Sequence, residues 1–225
     1  MRIELMVIRL TATLGLAAAQ VQLGLRYGAG EGVPQDDAES ARWLRRATEQ
    51  GDCAAQTLLG PIYLDGRGVP QDGPEAVRWL RRAAAQGAAS DGRTAWGWVS
   101  RARLVRERTG LSAQLMLGHV YEAGYPGVEQ DDAEAVRWYR LAAEHGLGEA
   151  QFNLGFMYQD GRGVPQDDVQ AYMWTSLAAS HSYGKIVETA VQYIDVLAGA
   201  LTPEALNEAQ CLAREWEEMW ARTPR

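Results

Sequence analysis

Residues 150–168 read Ala-Gln-Phe-Asn-Leu-Gly-Phe-Met-Tyr-Gln-Asp-Gly-Arg-Gly-Val-Pro-Gln-Asp-Asp, and the pattern returns three more times along the chain. In register with Gln151, Leu154, Gly155 and Tyr158 stand Gln20, Leu23, Gly24 and Tyr27, then Gln56, Leu59, Gly60 and Tyr63, then Gln114, Leu117, Gly118 and Tyr121. Gln20 and Gln56 are 36 residues apart, and Gln114 and Gln151 are 37 apart. Self-similarity at a period of about 20 to 50 residues marks stacked supersecondary units, so the chain is expected to form a solenoid and not a single-core globule.

Within each copy the Leu, Gly and Tyr fall on one face of a 3.6-residue helix. Glycine in a helix interior costs about 1 kcal/mol against alanine, so its return at Gly24, Gly60, Gly118 and Gly155 predicts a neighbouring helix too close for a Cβ. After the tyrosine comes a loop such as Gly66-Arg67-Gly68-Val69-Pro70, whose first glycine is suited to a left-handed helix end. No Gly-Lys-Ser/Thr follows, and an aspartate opens the next helix, so a phosphate-cradling loop is excluded. Asp36, Asp72, Asp131 and Asp167 are followed three residues later by Glu39, Glu75, Glu134 and Gln170, the spacing of a capping box. Repetition at every helix start reads these carboxylates as caps and not as acid/base pairs. The second helix then carries Ala41, Trp43 and Leu44, with Ala76, Trp79 and Leu80 in the next copy, and stops at Gly51, Gly87 and Gly146.

These features, Leu-Gly-x-x-Tyr, Gly-x-Gly-Val and a capped Ala-x-x-Trp helix, resemble the Sel1-like repeat family, relatives of the tetratricopeptide repeats found frequently in bacteria. The resemblance implies an all-α fold, a right-handed α-solenoid of antiparallel helix pairs, closed here by a C-terminal capping helix. It implies a non-catalytic adaptor or scaffold binding a protein or peptide on its concave helical surface. It assigns no catalytic residue, metal or cofactor. Some cysteine-rich secreted members are associated with β-lactam binding or hydrolysis, but their paired cysteines per repeat are missing here.

The expected organisation is residues 1–17 as an N-terminal helix or a signal segment, 18–87 as repeats 1 and 2, 88–112 as an irregular, degenerate repeat, 113–184 as repeats 3 and 4, and 185–225 as capping helices. Arg2 and Arg9 before the apolar run ending in Ala17-Ala18-Ala19 fit a cleaved leader. Glu4, and the match of Ala18 and Ala19 to the repeat's own small residues, favour a helix and a cytoplasmic over an exported protein. Pro61 lies inside a first helix and is expected to kink or loosen it by about 3 kcal/mol unless neighbours compensate. The third copy carries one extra loop residue, in Gly124-Tyr125-Pro126-Gly127, and its loop should be reshaped.

Between copies 2 and 3 the register is lost: Ala95, Trp96 and Val99 stand where leucine, glycine and tyrosine are due. Codons read one base forward force glycine at 96 and 98 and permit leucine at 95 and tyrosine at 99. A frame-shifted relic, and with it a decayed gene product, is therefore one reading, for the nucleotide sequence to test. Arg93, Arg101, Arg103, Arg106 and Arg108 beside Trp96 and Trp98 could form a nucleic-acid patch. In a chain of net charge -7 an irregular helix over the stack is the better reading. Beyond Gly184, Thr202-Pro203 announces a last helix with Leu206, Ala209, Leu212, Ala213 and Trp216 on one face.

Other chemistry is sparse. No stretch of about 18 apolar residues could span a membrane. Cys53 and Cys211 read as free, buried thiols. His145 and His181 occupy the repeat position of Gln50 and Gln86, which points to local hydrogen bonding and not to a metal site. No nucleophile with a base in reach can be nominated, so the chain reads as a non-enzyme, probed against the alternative of an exported cell-wall-associated binder or hydrolase. The variable positions of the first helices are the candidate partner contacts: Gln22 and Arg26 in the front pair, and His119, Asn153 and Phe156 in the rear pair. The competing expectation is that Phe156, Met157 and Met116 are inter-repeat core. A monomer binding a protein or peptide segment, without nucleic acid, metal or cofactor, is the expectation that follows.

Overall fold

A computed structural model describes residues 2–88 and 99–222. Among them are eleven helices: α1 (Arg2–Thr13), α2 (Ala17–Ala29), α3 (Asp37–Glu49), α4 (Cys53–Asp65), α5 (Gly73–Ala88), α6 (Val99–Ala123), α7 (Asp132–Glu144), α8 (Gly148–Asp160), α9 (Asp168–His181), α10 (Lys185–Ala200) and α11 (Pro203–Arg222). The described residues hold no strand beyond one isolated bridge, and consecutive helices pack as pairs, so the fold is an all-α solenoid of helix pairs. Two compact units are present, residues 1–116 with 124–129, and residues 117–123 with 130–225. The division falls inside α6 and not within the 88–112 segment.

The reason these helices start and stop where they do is visible at the caps. Asp36, Asp72, Asp131 and Asp167 each accept the backbone N–H three residues on, at 2.9 to 3.0 Å. The return half of the expected capping box is replaced. The N–H of each cap aspartate donates instead to the carbonyl of the repeat's tyrosine, Tyr27, Tyr63, Tyr121 or Tyr158, at 2.8 to 2.9 Å, which ties the loop shut across both helices. That leaves the glutamates free for other partners: Glu75 and Glu134 accept from the indoles of Trp79 and Trp138 one turn on, at 2.8 and 3.1 Å. The first helices end, as expected, on left-handed glycines, Gly30, Gly66 and Gly161, whose N–H returns to Arg26, Ile62 and Met157.

The helical glycines do mark close approach. A Cβ on Gly24 would lie 2.9 Å from Leu44 Cγ, and one on Gly60 would lie 2.7 Å from Leu80 Cδ2. Tyr139 and Thr175 take the same place against Gly118 and Gly155. The nearest atom in each case belongs to a side chain of the paired second helix, with the Ser40 and Ala171 carbonyls next, 3.2 and 3.1 Å from a Cβ on Gly24 and Gly155. Pro61 does not break α4, which runs from Cys53 to Asp65 and ends in the same cap as its relatives. Nine of its thirteen residues are buried, and that packing outweighs the one missing hydrogen bond.

In the first unit, α1 lays Ile8 and Ala12 against Ala19 and Leu23, and Arg9 reaches the Tyr27 hydroxyl at 3.4 Å. Arg45 to Tyr63 at 2.7 Å, and in the second unit Arg140 to Tyr158 at 2.6 Å, repeat that contact at the same separation of 18 residues. The unit also shows what the lost register does. Gln56 and Gln114 are 58 residues apart, 22 more than the 36 between Gln20 and Gln56. Between adjacent copies the second loop glycine lies on the first turn of the previous copy's second helix, as Gly68 does on Asp37 and Ala38. Gly127 takes that position on Pro74 of α5, and a Cβ on Gly73 would stand 3.0 Å from Val128 Cγ2. Thr57 Oγ1 likewise reaches the Thr109 carbonyl at 3.4 Å. The loop of copy 3 therefore docks on copy 2 as an immediate neighbour would, and the extra 22 residues add no layer at this contact. Its additional residue is absorbed by a small Tyr125–Val128 bridge, bonded both ways at 2.9 and 2.7 Å. The frame-shift reading turns on positions 95, 96 and 98 besides Val99, and the patch on Arg93, Trp96, Trp98 and the side chains of Arg101, Arg103 and Arg106 besides Arg108; apart from Val99 and Arg108 these lie outside what the structure describes.

In the second unit α10 and α11 both pack on α9, with Ala171, Tyr172, Leu197 and Ala209 as their shared core. Thr202 caps α11 through the Ala205 N–H at 3.3 Å. Among the residues of α11, all of them described, Ala209 alone is fully buried. Cys211 is accordingly half-exposed, with Arg214 donating to its sulfur at 3.2 Å, whereas Cys53 is buried and donates to the Ala83 carbonyl at 3.5 Å; neither forms a disulfide.

The repeat glutamines are buried polar links between helices. Gln20 and Gln151 donate to the carbonyls of Ala12 and Ala143, at 3.2 and 3.1 Å. The amide oxygens of Gln20, Gln56 and Gln151 accept from Gln50, Gln86 and His181, always 30 residues on, at 2.7, 3.2 and 3.1 Å. His181 thus does the hydrogen-bonding work of a glutamine, as its repeat position implied. His145 turns to the Leu141 carbonyl at 2.8 Å.

Candidate functional site

Two of the candidate contact residues meet in the second unit. Asn153 Nδ2 on α8 lies 3.0 Å from His119 Nε2 on α6, joining the first helices of copies 3 and 4 through side chains at the surface. Because the amide nitrogen can only donate, His119 accepts through Nε2 and carries its proton on Nδ1. The His119 ring stands edge-on to Tyr139, with centroids 5.5 Å apart.

Beneath them is a polar network that the sequence reading did not single out. Tyr139 donates its hydroxyl to Glu122 at 2.6 Å, and Arg162 bridges Glu122 and Asp132 at 2.8 Å each. The hydrogen bond to Asp132 is the chief cause holding the Arg162 guanidinium above its usual range, opposed by some desolvation. Burial first, and then the bond to Glu122 and its charge, push the Tyr139 phenol far above its usual range, so it remains a hydrogen-bond donor. A signal existed: Arg67 and Asp37, at 3.4 Å, share the 30-residue separation of Arg162 and Asp132, so the middle residue of Gly-Arg-Gly pairs with the first-turn aspartate of the preceding copy.

This network carries a pH dependence whose sign is fixed. The folded-state pKa of Tyr139 is raised above the ordinary 10.0, so its contribution is complete below about pH 10 and is lost as the unfolded chain ionises above it. Tyr139→Phe is expected to cost about 1 to 2 kcal/mol at neutral pH. The gap from the parent protein should close as denaturation is followed above pH 10, and a gap that stays constant there would refute the assignment.

The remaining candidates are placed differently. Phe156 is half-buried and stacks on Tyr193 of α10 at 4.4 Å, with Phe152 edge-on at 4.9 Å. Burial, aided by Asp160 and Asp168, raises the Tyr193 phenol. Phe156 is thus partly covered by the C-terminal helices, while Met157 beside it is core at 1% exposure. In the first unit Gln22 is exposed on α2, and Arg26 is held by Glu4 of α1 at 3.1 Å. No group of three or more metal-ligating side chains occurs among the described residues, and no helix there is long and apolar enough to cross a membrane.

The repeat architecture has counterparts among known proteins. A crystal structure of a Sel1 repeat protein from Oxalobacter formigenes is 32% identical with a TM-score of 0.60, over 96% of this chain and 53% of that one. The c5321 protein, a protective antigen of uropathogenic Escherichia coli strains displaying an SLR fold, is 27% identical with a TM-score of 0.47, over 97% of this chain and 50% of that one. A Sel1-repeat-type structure from Klebsiella pneumoniae subsp. pneumoniae, 18% identical with a TM-score of 0.50, covers 85% of this chain and 82% of that one and shares the fold alone. This chain spans about half the length of the first two. No curated protein matches it. Sel1 repeats generally mediate protein–protein interaction, on a fold that is typically non-catalytic. The Sel1 repeat model matches at residues 17–52, 53–87, 111–147 and 148–183, the four copies whose caps, glycines and buried glutamines are described above, and the chain belongs to the Sel1 repeat family.

Proposed function

We propose that this protein is a non-catalytic interaction scaffold that takes a peptide or protein segment on the face built by the first helices of copies 3 and 4. The observation that carries the reading is the surface pair of His119 and Asn153. It joins two consecutive repeats, contributes little burial, and is held from below by Tyr139 and its network. A polar pair pre-positioned in this way can engage a peptide backbone at little entropic cost. Phe156 supplies an apolar neighbour one turn along α8, and Gln22 and Arg26 are the matching positions on the front pair.

The test begins with peptides selected on the immobilised protein from a random display library. His119→Ala combined with Asn153→Ala should weaken the selected peptides by about ten-fold or more while changing stability by less than about 0.5 kcal/mol. Selected peptides that bind the double variant as tightly as the parent would remove this face from consideration.

A further inference from the structure

The first helix is apolar on two sides. Leu5, Ile8 and Ala12 face α2 and pack with Ala19 and Leu23. On the other side Ile3, Met6 and Leu14 are 81, 72 and 74% exposed, and Val7, Leu10 and Leu16 are each more than half exposed. Leu14 belongs to the same face, because its N–H bonds to the Leu10 carbonyl at 3.0 Å and continues the last turn. The two charged side chains described on α1 turn to α2, Glu4 to Arg26 at 3.1 Å and Arg9 to the Tyr27 hydroxyl at 3.4 Å, which leaves the stripe uncharged.

A helix that is apolar all round is ordinarily an interior element. The terminal helices of a repeat array present a polar outer face to stay soluble, as α11 does with Glu204, Glu208, Glu215 and Glu218 exposed. α1 does the reverse. Its six side chains expose on the order of 700 Å² per copy, more than the largest apolar patch of a typical monomer and close to the roughly 800 Å² that each partner contributes to a stable interface. Their order is also informative. Ile3, Val7, Leu10 and Leu14 are spaced by four, three and four residues, the seam of a helix that pairs with another of the same pattern.

We propose that α1 is the interface of a two-fold homodimer, in place of the monomer expected from the sequence, with the stripe of one copy packed on the same stripe of its partner. A second copy supplies the matching seam by construction, and an isologous contact closes on itself. Head-to-tail stacking is disfavoured, since α1 of one copy laid on α11 of the next would bury that row of carboxylates. A bilayer fits less well: interfacial helices set Lys and Arg beside the apolar face, whereas this chain has net charge -7 and turns Arg9 to Tyr27. The surface lies in the first unit and does not draw on the His119–Asn153 reading.

Sedimentation velocity of the intact 225-residue chain is expected to show a reversible monomer–dimer equilibrium with a Kd of about 10 µM or tighter. Val7→Glu combined with Leu10→Glu, at exposed positions in the middle of the seam, should weaken it by about 30-fold or more with an unchanged circular dichroism spectrum. Ile3→Gln with Leu14→Gln, a milder change at the ends of the seam, should weaken it by about five-fold or more and serves if the central variant does not fold. Val196→Glu, at an equally exposed apolar position of α10, should leave the equilibrium unchanged. A chain that stays monomeric at about 100 µM overturns the proposal, as does an assembly that grows beyond the dimer or a Kd unchanged in both stripe variants. A monomer that co-sediments with phosphatidylglycerol-containing vesicles, and loses that binding in the stripe variants, would assign the stripe to a membrane and overturn it equally.

Discussion

Replacing Gly163 by alanine is expected to destabilise the second unit by about 3 kcal/mol or more, combining backbone strain with overpacking. Gly163 sits at φ 69°, where a side chain is strained, and an added Cβ would collide with the backbone of Asp132 and Ala133, not with a side chain able to rotate away. The only relief is to lift the loop from α7, which also pulls Arg162 out of its bridge between Asp132 and Glu122. The effect should appear as a lower midpoint in urea, while Gly51→Ala, also at positive φ but with open space around it, should show the backbone strain alone. A loss at Gly163 no larger than that at Gly51 would mean that the loop does not dock on the preceding helix.

The second large effect is expected at Gln151→Leu, a change that preserves volume and removes only polarity. Gln151 is completely buried, donating to Ala143 and accepting from His181. Since the amide oxygen can only accept, His181 presents a protonated Nδ1 to it. Leucine would remove one bond to the Ala143 carbonyl, which keeps the Gly146 N–H, and one to the half-buried His181 imidazole, at about 1 kcal/mol for each bond lost. A total loss of about 2 kcal/mol or more is expected in chemical denaturation. A loss below about 0.5 kcal/mol would show that the glutamine column is dispensable.

How much of this was readable in advance follows from the range of each interaction. The helix pairs, their caps and their glycine ends rest on contacts within a few residues or one repeat, and Asp131, Gly161 and Thr202 behave as their neighbours in sequence dictate. The capping box was half right because the competing acceptor, a tyrosine carbonyl nine or ten residues back, belongs to another helix. Pro61 was legible only as a condition for a related reason: its cost is local, and the burial that offsets it is not. The bridge from Arg162 to Asp132 spans 30 residues and becomes visible only when two copies are laid over each other. The candidate contacts were chosen by variability within the repeat, which brought His119 and Asn153 together but could not foresee that α10 would set Tyr193 on Phe156. Nothing in the repeat announced the stacking of Trp216 on Trp220, since both lie beyond the last copy.

One native contact reports on the docking of the copy 3 loop on α5 of copy 2 despite the 22 extra residues between Gln56 and Gln114, compared with the 36 between Gln20 and Gln56. Gly73 faces that loop so closely that a Cβ there would stand 2.6 Å from the Pro126 carbonyl and 3.0 Å from Val128 Cγ2. With the valine methyls labelled, a nuclear Overhauser experiment on the unsubstituted protein should therefore show a strong cross-peak between a Gly73 α-proton and a Val128 methyl. If a further repeat layer stood between the loop and α5, the two groups would be about one helix spacing farther apart, roughly 8 to 10 Å more. No cross-peak between Gly73 and Val128 in the folded protein would contradict the docking.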